Sequence, residues 1–130
     1  MTPTQFCNRH GITADSEYAD PTPDQDEQWS RDASHWRVTL KRGRKRMTTP
    51  YSMGSAHTGE PKAADVLWCL VQDAHSYDNA SSFEEWCGDY GYDTDSRKAE
   101  RIYTAVKRSA AKVKQFLGPD LYEQSARIEE

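Results

Sequence analysis

Residues 36–77 constrain the fold more than any other stretch of the chain. Trp36-Arg37-Val38-Thr39-Leu40 alternates with period two, which puts Trp36, Val38 and Leu40 on one face of a strand. Residues 41–45 turn around Gly43, and a return strand runs from 46 to about 51. Its inward set is Met47, Thr49 and Tyr51, with Arg46 and Thr48 outward. Pro50 has no N–H for a ladder and marks this strand as an edge or a bulge. A two-stranded ribbon is marginally stable alone, so helices have to cover it. Gly54 and Gly59 bound a loop, Pro61 opens a helix, and Ala63, Val66, Leu67, Leu70, Val71, Ala74 and Tyr77 recur at three- and four-residue spacing. Trp68 falls off that stripe and is placed to contact another element or a partner.

The flanks read differently. Thr2-Pro3-Thr4-Gln5 is a capped helix start with a Pro at the first helical position, and Gly11 suits a left-handed end. Residues 13–34 show no periodicity and are expected to form an irregular acidic loop, pinned by Trp29. Ser82-Phe83-Glu84-Glu85 is a second capping box, opening a short helix limited by Gly88 and Gly91. Asp93-Thr94-Asp95 starts the longest helix, to about 117, and Gly118-Pro119 stops it. The tail, 120–130, is expected to be partly mobile after at most one more turn around Leu121 and Tyr122. The expectation is a single α+β domain over residues 1–130. It has a small antiparallel sheet built on one hairpin, packed by three to four helices, the later ones near 61–77, 82–90 and 96–117.

With an apolar share of 35%, the core has to rest on large residues, chiefly four Trp, seven Tyr and three Phe. The net charge of −4 gives the whole molecule no electrostatic attraction to nucleic acid, but the charge is segregated. Residues 15–32 hold seven acidic side chains against one Arg, whereas 41–46 hold five basic residues in six. Cys7, Cys69 and Cys87 cannot all pair within the chain. The start lacks the features of a signal peptide, and no segment approaches a membrane span. These points predict a cytoplasmic protein with reduced thiols and no membrane partner.

Residue type and spacing suggest several candidate sites. The loop Gly54-Ser55-Ala56-His57-Thr58-Gly59 resembles a phosphate cradle, but Glu60 and Pro61 stand where a nucleotide loop needs Lys and Ser or Thr. Cys7 and His10 have ligand-like spacing without the second pair that a zinc site needs. Asp89, Asp93 and Asp95 lack the central Gly and terminal Glu of a calcium loop. No catalytic constellation, metal site or cofactor motif is therefore expected. The most suggestive surface is basic: Lys41, Arg42, Arg44, Lys45 and Arg46 at the hairpin, with Arg97, Arg101, Arg108 and Lys112 recurring on one helix face. A basic ribbon tip and a basic helix suit a phosphate backbone of DNA or RNA, or a charged protein partner. On the acidic side, Asp24, Asp26 and Glu27 with Trp29 are the matching candidates, and Trp68 is a further anchor.

Five stretches occur together here: Trp36 to Leu40, Met47-Thr-Thr-Pro-Tyr-Ser-Met-Gly, Ala63-Ala-Asp-Val-Leu, Ser82-Phe-Glu-Glu-Trp-Cys, and Gly91-Tyr-Asp-Thr-Asp-Ser-Arg-Lys-Ala-Glu-Arg. In this combination the chain, from about Thr2 to Leu121, resembles a family of small proteins encoded by bacteriophages and prophages. The resemblance brings no catalytic residues and no cofactor. It implies a setting in a bacterial host cell and a task of blunting host defence, with CRISPR–Cas effectors among the targets, or of redirecting host machinery. The function expected is stoichiometric inhibition of such a complex, an anti-CRISPR activity. The alternative is an accessory protein that binds DNA or RNA through the basic turn and helix.

Overall fold

The computed structural model describes residues 1–19, 35–51 and 59–129. Thr2 caps helix α1 (Pro3–His10). Its hydroxyl accepts the Gln5 N–H at 3.2 Å, and the Gln5 side chain accepts the Thr2 N–H at 2.9 Å. This is the reciprocal box expected from the sequence, and Gly11 ends the helix in the left-handed region at φ 65°. Phe6 and Cys7 are buried.

The chain then enters β1 (Ile12–Ala19), antiparallel to β2 (His35–Arg42), which pairs in turn with β3 (Lys45–Tyr51). Strand β1 corrects the expectation of irregular chain from residue 13. Ile12, Ala14, Ser16 and Tyr18 stand opposite Arg42, Leu40, Val38 and Trp36. Among these four only Ile12 is a fully buried apolar side chain, so the period-two pattern lacks the hydrophobic contrast that would reveal it. Pairing with β2 decides the strand, and the Tyr18 ring meets Trp36 edge-on at 5.1 Å. The rest of the expected acidic loop, 20–34, and the glycine-bounded loop at 52–58 lie outside the described residues.

The hairpin agrees with the sequence reading. A two-residue turn, Gly43 and Arg44, joins β2 to β3, with Gly43 at φ 60° as the strand twist requires of a tight hairpin. Trp36, Val38, Leu40, Met47 and Thr49 are buried on the inner face. Helix α2 (Ala63–Asn79) covers that face through Val66, Leu67, Leu70, Val71 and Ala74. It begins two residues after Pro61, behind Lys62, whose side chain makes no capping bond.

Helix α3 (Phe83–Tyr90) is capped by Ser82, which accepts the Glu85 N–H at 3.1 Å, while Ser81 bonds the Glu85 carboxylate. Helix α4 (Arg97–Ser125) starts behind Ser96, which accepts the Ala99 N–H at 3.2 Å. Asp93 accepts the Asp95 N–H at 3.1 Å and so shapes the preceding turn. The helix thus starts where the expected 96–117 span puts it, but the cap is Ser96 rather than the acidic residues 93–95, because a hydroxyl three residues before Ala99 reaches the orphan N–H.

Gly118 breaks α4 at φ 79° and ψ 165°, but the chain resumes its helical course through Ser125. The tail is not frayed as expected. Ser125 and Ile128 are buried, and the Glu129 N–H reaches the Met1 carbonyl at 2.8 Å. The break re-aims the last turns onto α2, where Tyr122 stacks on His75 at 4.5 Å.

One core joins the inner sheet face, α1, α2 and the second half of α4. A second cluster of Trp86, Cys87 and Ala99, flanked by Phe83, Tyr92, Ile102 and Tyr103, packs α3 on the first half of α4. The architecture is therefore α+β, a three-stranded antiparallel sheet with four helices among the described residues. No helix there is long and apolar enough to cross a membrane.

Candidate binding face at the hairpin and the long helix

The hairpin tip brings five basic residues together, and the fold assigns them different tasks. Lys41 forms an ion pair with Asp15 of β1 on the outer sheet face. Arg42 shares the inward parity of Leu40, which aims its guanidinium at α4. There Nε donates to the Phe116 carbonyl at 3.3 Å, and Nη2 donates to the carbonyls of Phe116 and Leu117 at 2.9 and 3.0 Å. Lys45 Nζ donates to the Gln115 carbonyl at 3.1 Å. These carbonyls lie at the end of the helical segment before Gly118, where the backbone leaves helical φ/ψ and Pro119 has no N–H to offer Gln115, so two cations at this negative helix end are favourable. Arg42 and Lys45 are thus first of all clamps on α4.

Arg44 and Arg46 are exposed, and the Arg46 guanidinium lies 3.4 Å from the Gly43 carbonyl. Beside them runs a groove of about 440 Å³, lined by Lys45, Arg46, Met47 and Thr48 from β3 and by Lys112, Gln115 and Phe116 from α4. The four basic residues read from the helix pattern, Arg97, Arg101, Arg108 and Lys112, are all exposed. At 3.6 residues per turn they fall within about 60° of one another and extend over roughly 22 Å. Lys112 belongs to both sets, so the stripe on α4 runs into the hairpin groove. The structure therefore brings together two sequence-predicted basic patches that lie more than fifty residues apart.

The other candidates do not join this face. Trp68 is half-buried against the main core and lines a separate groove of about 380 Å³ with Gln72, His75, Asn79 and Ser125. Asp24, Asp26, Glu27 and Trp29 lie outside the described residues, as does most of the 54–59 loop. His10 packs edge-on against Phe6 at 4.7 Å, and burial pushes the Cys7 thiol up to about 11. Among the described residues no group of three or more His, Cys, Asp and Glu is placed to hold a metal.

Sequence reasoning missed one polar network, because its members are distant in the chain. His75 Nε2 lies 3.0 Å from Ser125 Oγ, a pairing that resembles a nucleophile and its base. The hydroxyl, however, donates its single hydrogen to the Tyr122 carbonyl at 2.5 Å. It can then only accept from His75, so Nε2 carries the proton and is no base for Ser125. The network continues through Tyr122 OH, which donates to Asp78 at 2.6 Å, and Lys114, which pairs with Asp78 at 2.5 Å. Burial opposes the Asp78 charge, but the bonds from Lys114 and Tyr122 outweigh it and hold the carboxyl below its ordinary value. Burial, against an opposing pull from Asp78, lowers the His75 pKa below 6.5. The unfolded chain therefore takes up a proton that the folded chain resists, and stability falls as the pH drops below 6.5. A His75→Gln variant should show a flatter loss of melting temperature on mild acidification than the parent chain.

No protein-family model, no curated protein and no solved structure matches this chain.

Proposed function

We propose that this chain is a phage-type interaction protein that inhibits a host defence complex by stoichiometric binding, with the basic face as its docking surface. A CRISPR–Cas effector is the kind of target in view. The observation that carries the reading is the convergence of Arg46 and Lys112 on one groove, into which the α4 stripe runs, with Arg44 exposed in the adjoining turn. The phage-like sequence stretches supply the setting. Charge is also graded across the outer sheet face, from Asp15 and Glu17 on β1 to Arg46 on β3, which orients a charged partner on approach.

The test is capture of partners from a bacterial host lysate after nuclease treatment, with the parent chain and the triple variant Arg44→Glu, Arg46→Glu, Lys112→Glu. The expected result is a stoichiometric protein complex that survives nuclease and binds the variant at least about tenfold more weakly, equivalent to about 1.4 kcal/mol. Retention of full affinity by the variant would overturn the assignment of this face.

One observation favours a second reading, direct binding of DNA or RNA. The roughly 22 Å run of cations along α4 matches a track of phosphates. Under that reading capture vanishes with nuclease, and affinity for bare duplex or single strand falls steeply as salt is raised.

A further inference from the structure

We infer that the open edge of β3 takes up an extended acidic peptide of a partner protein as an added strand, lodged in the groove against α4. This deepens the docking reading above and rests on it. The two-residue turn Gly43-Arg44 closes on the Arg42/Lys45 pair. In an antiparallel ladder residues alternate between facing the partner strand and facing away. Lys45, Met47 and Thr49 then direct their backbone groups to β2, and Arg46, Thr48 and Pro50 direct theirs outward. Pro50, with no N–H to offer, occupies one of the outward positions, as edge strands tolerate. Among the described residues the sheet ends at β3, and no strand pairs with this edge.

The groove straddles the edge itself, since Lys45 and Met47 of one face line it together with Arg46 and Thr48 of the other. An edge strand beside a helix is the arrangement in which a peptide adds its backbone to a sheet. The outward N–H and C=O groups of Arg46 and Thr48, about 6.8 Å apart, match a peptide backbone and have no counterpart along a sugar–phosphate chain. Charge selects the sequence of the added strand. Lys45, Arg46 and Lys112 line the groove with no acidic residue among the described residues of its walls, and Lys45 keeps two of its three N–H donors after bonding Gln115. The same cations repel the β3 edge of a second copy, which keeps two such edges apart. A strand with carboxylates at alternate positions escapes that repulsion.

The test uses the full chain and a fluorescent, end-blocked heptapeptide of alternating Glu and Val, measured by anisotropy. Two further peptides carry N-methyl groups on every Glu nitrogen or on every Val nitrogen, which removes the N–H donors of one edge at a time without changing charge. Saturable binding is expected, lost at least about tenfold in one methylated peptide, kept in the other, and lost with the Arg46→Glu variant. Equal binding of both methylated peptides overturns strand addition. If Arg46→Glu still abolishes that binding, the basic face survives as a docking surface. If Arg46→Glu changes nothing either, both readings fall. No saturable binding of the parent peptide overturns the strand-addition inference, and the lysate capture then judges the face by itself.

Discussion

Replacing Arg42 by Ala is expected to cost about 3 kcal/mol of folding stability, the loss typical when a charge-assisted bond is removed and its buried partners go unsatisfied. Arg44→Ala, in the turn itself, is expected to leave the urea midpoint where it is. Both residues belong to the same basic run, and only the fold separates them. Arg42 reaches inward and donates to the Phe116 and Leu117 carbonyls, while Arg44 stands exposed at the turn. Arg42→Lys should recover only part of the loss, because a single ammonium cannot reproduce the fork that spans two carbonyls. Urea melts at constant slope decide the matter. Equal midpoints for Arg42→Ala and Arg44→Ala would mean that the clamp contributes nothing and that Arg42 is available to a partner.

Gly118→Ala is expected to cost about 2 kcal/mol, within the range for a residue forced into a backbone region that only Gly adopts readily. The position sits at φ 79° and ψ 165°, and a Cβ built there meets no atom within 4 Å. The whole cost is therefore backbone strain, with no packing clash to confuse it. Gly88 supplies the control. It lies inside α3 without a positive φ and with equal room for a Cβ, so Gly88→Ala should stabilise by roughly 0.5–1 kcal/mol. The two substitutions thus have opposite signs despite identical chemistry. A Gly118→Ala chain as stable as the parent would show that the break in α4 relaxes. The re-aimed turns that carry Tyr122, Ser125 and Ile128 would then not depend on it.

These two residues also show where local reasoning stops. The Gly118-Pro119 pair reads correctly as a break, since Gly tolerates the conformation and Pro lacks the donor to continue the helix. The course of the chain beyond Pro119 is set instead by the surface it meets. That surface is α2, and the tail that composition marks for fraying becomes buried at Ser125 and Ile128. Strand β1 is the same lesson from the other direction. Ala14, Ser16 and Tyr18 carry too little apolar contrast to declare a strand, and eight residues of pairing with β2 declare it instead. The basic face was half legible. The cations of the hairpin and those of α4 are visible as two runs, but nothing local says that Lys112 and Arg46 line one groove.

By itself the sequence determined the elements whose signals are local. These are the capped starts of α1 and α3, the stripe that buries α2, the hairpin turn at Gly43 and the break at Gly118. Each depends on residues within one or two turns of each other, where a hydroxyl, a proline or an apolar repeat acts at short range. The tertiary structure alone decided that β1 is a strand, that the tail packs, that Arg42 and Lys45 clamp a helix end, and that His75 holds Ser125. The partners in those side-chain contacts stand far apart, 70 positions for Lys45 and Gln115 and 50 for His75 and Ser125. Their free energy comes from donors and acceptors satisfied across the fold, which no window of sequence contains.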